Sequence, residues 1–411
     1  MGSRFARDEK DVVAALEGAL AQGTAFELCA GGSKRALGRP VEASEILDVS
    51  SLSGVKLYEP EELVFTAGAA TPLAEIEKLL ADRRQQLAFE PPDIGALLGA
   101  PSQKATLGGA LACNLSGPRR VQAGAARDHL LGFRAASGRG EIFKSGGRVV
   151  KNVTGYDLSK LMAGSFGTLA VLLEVTLKVA PAPEKSRTVL IYGLDGMTAA
   201  AAMQAALGSP NEVSGAAHLP AGVAAKSSVD HVVASGKSVT ALRVEGHGPS
   251  VLKRTEALHE LGTGFGKTEE LHRTRSIAFW REVRDVRYFA DVDDRVVWRL
   301  SLPPAASEEA IGRVLDQVAG EEMTGEAFRD WGGGLVWLCL PPGPGAFASL
   351  VHKAAIDAGG HALLVRAPLE TRLRMPVFSP LPEALLRLTE RMKTAFDPKA
   401  VLNPGRMYPG I

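Results

Sequence analysis

The chain has 411 residues, enough for two or three domains and a sizeable buried core. Its 45% hydrophobic content, 23% charged content and formal net charge of +1 are ordinary for a globular protein, and they make no electrostatic case for nucleic acid or an anionic membrane surface. Three widely spaced cysteines, Cys29, Cys113 and Cys339, argue against a disulfide framework and are too few for an iron–sulfur cluster, which takes about four clustered thiolates.

Residues 1–20 mix Arg4, Arg7, Asp8, Glu9 and Lys10 with apolar side chains, unlike a signal peptide. No stretch approaches the roughly 20 apolar residues of a membrane span. The expectation is a cytoplasmic chain.

The first segment reads as a small α/β lobe. Residues 11–20 have a helical pattern and 25–29 a short strand, which runs straight into Ala30-Gly31-Gly32-Ser33-Lys34. Residues 45–48 and 63–66 have strand character, and Leu73, Ile76, Leu79 and Leu80 form a helical stripe. A loop-rich stretch opened by Pro91-Pro92-Asp93 ends at a second glycine pair, Thr106-Leu107-Gly108-Gly109. Strands are expected over 131–136, 141–144 and 170–179, with a short helix over 158–162. Pro181-Ala182-Pro183 is the strongest boundary signal.

Beyond it, strand and helix patterns alternate. Strands at 188–192, 239–244, 296–302 and 335–340 are interleaved with helices at 197–207, 251–261, 308–318 and 347–358. The order resembles two split β-α-β halves forming one largely antiparallel sheet with helices on one face. Residues 381–393 are amphipathic and lead into Leu402-Asn403-Pro404-Gly405-Arg406. The expected domains are therefore 1–182, 183–370 and a tail, 371–411, returning to the first.

Only a residue without Cβ lets backbone N–H groups close onto an anion while adopting positive φ. Gly31, Gly32 and Ser33 offer backbone donors and a hydroxyl to a pyrophosphate, and Lys34 adds a charge. A plain Gly-Gly turn between strands fits the first loop equally well. Thr106 with Gly108 and Gly109 reads either as a second phosphate loop or as a capped helix start. Gly262-Thr263-Gly264-Phe265-Gly266-Lys267-Thr268 looks like a Walker A loop, but it is one residue short and follows a helix rather than a strand. No Gly-x-Ser-x-Gly elbow supports a hydrolase.

The two glycine loops, Gly155-Tyr156-Asp157-Leu158 and Gly164-Ser165-Phe166-Gly167-Thr168-Leu169 come in an order that resembles the vanillyl-alcohol oxidase/p-cresol methylhydroxylase (PCMH) flavoproteins. The implied fold class is α+β: a two-lobed PCMH-type FAD-binding domain plus a second domain with a largely antiparallel sheet covered by helices. Within that superfamily the chain is most similar to the FAD-binding E subunits of bacterial glycolate oxidase (glycolate dehydrogenase). Residues 150–158, Trp298-Arg299-Leu300-Ser301, Asp330-Trp331-Gly332-Gly333 and residues 402–408 carry that resemblance.

The resemblance implies FAD as cofactor. Gly31, Gly32, Ser33 and Lys34 with Thr106, Leu107, Gly108 and Gly109 would bracket the pyrophosphate. Asn114, Ser116 and Gly155 would border the flavin end, and the stretch from Thr168 to Val175 the adenine end. Gly164, Gly167 and Asn403 complete the set. Ser33 stands where covalent relatives often carry a histidine, which implies non-covalent FAD. The Gly-Asp-Gly-Asn-x-His-like run of metal-bearing 2-hydroxy-acid dehydrogenases is missing, so no metal site is expected, and His352 and His361 are read as surface or packed residues.

Arginines are natural clamps for a small carboxylate. Arg281, Arg284, Arg287 and Arg299 are the candidates, and the first three, sharing one helix face, read rather as a solvated surface or a subunit contact. Arg299, alternating with Trp298 and Leu300 in a strand, is the candidate contact to substrate. No general base stands out. The implied activity is oxidation of glycolate, a small 2-hydroxy acid, to glyoxylate, with hydride passing to the flavin. Electrons would leave through an iron–sulfur subunit, beside a paralogous FAD- and metal-binding subunit, in a complex that sits in the cytoplasm or peripherally at the inner membrane face. A self-sufficient dehydrogenase of another hydroxy acid and a non-catalytic flavin-binding subunit remain alternatives.

Overall fold

The computed structural model describes residues 2–101, 103–149, 155–292, 294–320 and 322–411. The run at 150–154 that carries part of the resemblance lies outside them. The chain divides into two compact units: Met1–Ser116, Ala125–Pro181 and Pro380–Ile411 form the first, and Gly117–Gly124 with Ala182–Ser379 the second. This differs from the expected partition at two places. Residues 117–124 belong to the second unit, where Trp331 Nε1 donates to Gly117 O at 3.0 Å and Arg119 pairs with Glu245. Residues 371–379 stay there too, because Phe378 bridges to Leu363 and Ser379 bonds His352.

The first unit carries two main sheets. Gly2–Phe5, Glu45–Asp48 and Phe26–Cys29 form a parallel three-stranded sheet with Glu45–Asp48 central. The helix Glu9–Gln22 follows its first strand, started by Asp8, whose carboxylate accepts the N–H groups of Lys10 and Asp11, and ended by Gly23 in the left-handed region. Val12, Leu16 and Ala19 on this helix pack with Phe26 and Leu47. The second sheet is antiparallel, in the order Val55–Glu59, Val64–Gly68, Ala170–Lys178, Leu130–Ser137, Ile142–Gly146. Its core joins Phe65, Val175, Leu177 and Phe133 to the helix Leu73–Asp82 through Ile76 and Leu80.

The second unit is built on one eight-stranded sheet, antiparallel throughout. Lys185–Tyr192, Gly215–Leu219, Val239–Gly246 and Lys267–His272 make one half, with helices Gly196–Leu207 and Gly248–Thr263 between them. Val296–Ser301, Glu326–Asp330, Leu335–Leu340 and His361–Arg366 make the other, with Ser307–Gly320 and Ala348–Asp357. Each half orders its strands fourth, first, third, second, and the two second strands meet through His218 and Arg329.

Helices are not confined to one face. Val189 and Ile191 pack with the helices Gly196–Leu207 and Gly248–Thr263, whereas Thr188, one residue out of phase, meets Ser276 and Trp280 of the helix Arg273–Arg284.

Candidate functional site

A cleft of about 840 Å³ opens in the first unit at the end of the strand Phe26–Cys29. Its wall includes Gly31, Gly32, Ser33, Lys34, Thr106, Gly108, Gly109, Gly167 and Asn403, so nine expected residues converge from four separated segments. Gly32 adopts φ 75°, which favours glycine, and a Cβ on Gly31 would lie 1.9 Å from Lys104 O. Among the described residues, no protein acceptor takes the N–H of Gly31, Gly32, Ser33 or Lys34. Four successive unclaimed donors at a cavity wall are an anion cradle. Lys34 is half-buried beside them, with Nζ donating to Ser33 Oγ at 3.3 Å, and burial lowers its pKa.

The second glycine pair serves differently from expectation. Leu107 N–H donates to Thr71 O at 2.9 Å, Gly108 N–H to Ala69 O at 2.7 Å, and Gly109 N–H to the capping Thr106 Oγ1 at 3.3 Å. These donors are already spent. Gly108 is required by close packing, since its Cβ would lie 2.8 Å from Ala69 O and Cβ. Gly109 leaves its stretch of the wall without a side chain.

Ala170, Val171 and Leu172, within the stretch expected at the adenine end, also line the wall, and the other expected residues lie away from it. Leu107 and Val175 are core residues. Asn114 Oδ1 accepts from Arg127 N–H at 3.1 Å and Ser116 Oγ from Ala126 N–H at 2.9 Å. Thr168 Oγ1 donates to Ser165 O at 2.7 Å, and Gly164 N–H to Leu111 O at 3.2 Å. Gly155 borders a separate depression with Tyr156 and Lys160. Each of these polar groups holds the local backbone, a demand no residue pattern distinguishes from ligand contact.

Cys29, Cys113, Phe166 and Arg406 are wall residues that sequence reasoning did not single out, although Phe166 and Arg406 lie in recognised motifs. Arg406 donates to Lys34 O at 2.9 Å and braces the first loop. Asn403 accepts Leu28 N–H and donates to Phe166 O, both at 2.8 Å, so its amide ties strand to turn. Burial raises the Cys29 and Cys113 thiols, with Lys34 pulling Cys113 back down.

In the second unit, Arg299 is half-buried with its guanidinium 5.3 Å from the Trp331 ring centroid, and Arg120 lies 4.3 Å from the same ring. Burial and then Arg120 push the Arg299 pKa down to about 10. Arg281 and Arg287 are exposed, and Arg284 pairs with Asp285. His352 is buried, with Ser379 Oγ at 3.1 Å and Pro376 O at 2.9 Å. Among the described residues, no group of three or more His, Cys, Asp or Glu is placed to hold a metal ion. The Walker-like run joins the helix Gly248–Thr263 to the edge strand Lys267–His272, the reverse of a phosphate loop's strand-to-helix order.

Two solved structures share this architecture. Substrate-bound p-cresol methylhydroxylase matches with a TM-score of 0.73 at 12% identity, covering 98% of this chain and 88% of its own. The 4-ethylphenol oxidase of Gulosibacter chungangensis matches at 0.71 and 14%, covering 99% and 89%. The FAD binding domain family matches residues 3–146. Fold, cradle and family match define a FAD-dependent oxidoreductase with the PCMH-type fold.

Over 95% of the chain and 94% of the relative, the sequence is 35% identical to glycolate oxidase subunit GlcE of Escherichia coli strain K12. The chain belongs to the GlcE family of glycolate oxidase subunits. Glycolate oxidase subunit GlcD of Bacillus subtilis is 30% identical over 41% of this chain and 33% of its own length. D-lactate dehydrogenase of Anaerostipes hadrus is 33% identical over 36% and 29%.

Proposed function

We propose that this chain is the FAD-binding subunit of a glycolate-oxidising complex, taking part in oxidation of a small 2-hydroxy acid and passing electrons to an iron–sulfur partner. The observation that carries the reading is the cradle of unclaimed N–H groups at Gly31–Lys34, in a chain related over nearly its whole length to GlcE. The cleft fits FAD by its donor chemistry: neutral N–H groups and one ammonium beside a wall kept open by Gly108 and Gly109. The cradle residues would hold the pyrophosphate, and Lys34 would recover as an ion pair what burial costs its charge. Ser33 has no ring nitrogen for attachment, so the cofactor is held non-covalently.

When bound, FAD supplies the two-electron acceptor for the substrate's C–H. Arg299 is the proposed contact for the substrate carboxylate. With only three dispersed cysteines, the chain has no cluster of its own, so electrons leave through a partner. A paralogous GlcD-like subunit bearing FAD and metal would complete the assembly. Among the described residues no helix is long and apolar enough to cross a membrane. The proposed location is cytoplasmic, with any membrane contact made peripherally by the complex.

The test is purification of the full chain alone and with its partners. The chain alone should be yellow, release FAD on denaturation and turn over glycolate poorly with an artificial acceptor. Glycolate oxidation should appear on reconstitution. A colourless chain, or sustained turnover by the chain alone, overturns the subunit reading.

A further inference from the structure

Trp331 is held in an unusual conformation. Its φ is 55° in the turn Trp331–Gly333, between the strands Glu326–Asp330 and Leu335–Leu340. Asp330 accepts its N–H at 2.7 Å, and its indole N–H donates to Gly117 O at 3.0 Å. A left-handed backbone at a bulky residue costs free energy and persists where its surroundings enforce it, commonly at functional positions. The result is a fixed aromatic plate within the second unit.

Two cations rest on that plate. Arg120 reaches it from the segment Gly117–Gly124, whose next-door Arg119 is clamped by Glu245 at 2.9 and 3.1 Å. Arg299 reaches it from the strand Val296–Ser301. His361 pairs with Ser301 on the neighbouring strand, two positions from the Leu363 that pairs with Arg299, so it lies diagonally to Arg299 on the same face of the sheet. Among the described residues Arg299 makes no hydrogen bond or ion pair with a carboxylate. The ring's attraction for a cation neutralises no charge. A half-buried arginine crowded by a second cation, with no anion of its own, is destabilising unless an anion joins it.

We infer that Arg299, Arg120 and Trp331 form a binding site for one small carboxylate, with the Arg299 fork taking its two oxygens and Arg120 adding charge. The inference rests on the hydroxy-acid reading for the identity of the carboxylate, a short 2-hydroxy acid. A carboxylate suits a guanidinium, whose fork offers two N–H donors to its two oxygens. His361, one diagonal step away and with its pKa lowered by lost solvation and then by Arg299 and Arg120, adds a nearby polar group.

The test is calorimetric titration of the purified full chain with oxalate, an unreactive two-carbon carboxylate, and with glycolate, against sulfate and chloride. Oxalate and glycolate should bind and raise the melting temperature, and Arg299→Met should weaken oxalate by at least about tenfold while keeping its flavin. Trp331→Phe should weaken it less, and Arg299→Lys should recover only part of the loss. If Arg299→Met does not fold, the lysine and phenylalanine variants carry the test, and parental affinity in both overturns the site. Equal binding of oxalate by parent and Arg299→Met, or binding of sulfate and chloride as tight as oxalate, also overturns it. Normal glycolate oxidation by a complex whose Arg299→Met chain keeps parental oxalate affinity sinks the site alone. Oxalate binding at Arg299 in a complex that does not oxidise glycolate sinks the hydroxy-acid reading instead.

Discussion

Arg119 and Glu245 lie 126 positions apart and form a two-point ion pair, Nε to one carboxylate oxygen at 2.9 Å and an amino nitrogen to the other at 3.1 Å. Both side chains are almost wholly buried. Ser214 Oγ also donates to Glu245 at 2.8 Å, and Arg243, lying over Trp280, stands 3.3 Å from it. The pair anchors the short segment Gly117–Gly124 in the second unit, although the residues flanking it on both sides belong to the first.

Burial opposes ionisation of Glu245, but Arg243, Arg119 and the hydrogen bonds from Arg119 and Ser214 outweigh it and hold the carboxyl well below 4.5. A depressed folded-state pKa contributes stability that is complete above about 4.5 and is lost as pH falls through the folded value. Glu245→Gln should cost about 3 kcal/mol at pH 7, because it removes the buried negative charge that faces two guanidiniums. It should also flatten the acid limb of the stability curve below about pH 4.5. Urea melts between pH 7 and 3 check both, and an unchanged acid limb would show that the fold does not depress the Glu245 pKa.

The carboxy-terminal tail depends on a second buried pair. Lys393 Nζ lies 2.7 Å from Asp397 and also donates to Thr168 O and Leu402 O, while Asp397 accepts the N–H groups of Val401 and Leu402. This knot sets the path of the chain to Asn403 and Arg406 in the cleft wall. Lys393→Met leaves a buried carboxylate unpaired and should cost about 3–5 kcal/mol. Flavin content should fall with stability, and added FAD should raise the variant's melting temperature more than the parent's. A variant with normal stability and full flavin content would show that the knot is dispensable.

Much of the architecture is legible in the chain because local signals agree with tertiary demands. The strand Leu335–Leu340 and the helix Leu158–Met162 fall where apolar patterning puts them. Gly215–Leu219 escapes notice because Gly-Ala-Ala-His-Leu carries little strand propensity, yet it is central and fully buried. Lys267–His272 escapes because an edge strand is charged. The site was legible in part. Glycine pairs mark close approach, but whether a donor is free depends on distant acceptors such as Ala69 O and Thr71 O, which only the fold supplies. Nothing in the local pattern marks Arg120, and the ion pair of its neighbour Arg119 with Glu245, far along the chain, holds its segment near Trp331.

Gly109 separates two roles for glycine. It lies in the helix Leu107–Ala112 with ordinary φ, so its requirement is space, with a Cβ falling 3.0 Å from Thr106 Oγ1 and 3.7 Å from Lys34 Nζ. Gly109→Val should abolish flavin retention by filling the wall. Gly312→Ala, in the helix Ser307–Gly320 with nothing within 4 Å, should keep full flavin and gain about 1 kcal/mol from helix propensity. Absorbance at flavin wavelengths after gel filtration decides the matter, and a folded Gly109→Val protein with stoichiometric flavin would remove Gly109 from the site.

Lys34 gives the sharpest test of the cradle. Its ammonium is partly desolvated, the hydrogen bond to Ser33 Oγ is the one it makes among the described residues, and burial lowers its pKa. A pyrophosphate placed against the Gly31–Lys34 donors would pair with it, so binding and protonation are linked. Lys34→Met should keep the fold, because no ion pair is broken, but should weaken FAD by about ten- to a hundredfold, the value of a charge-assisted hydrogen bond of about 1.5–3 kcal/mol. The sign of the pH effect follows from the lowered pKa. As pH rises through it the free chain loses the charge, so parental FAD affinity should fall at high pH while that of Lys34→Met stays level. Fluorescence titration of the flavin-stripped chain from pH 7 to 10 measures both. Equal affinity in parent and variant across that range would show that the pyrophosphate does not sit on this loop.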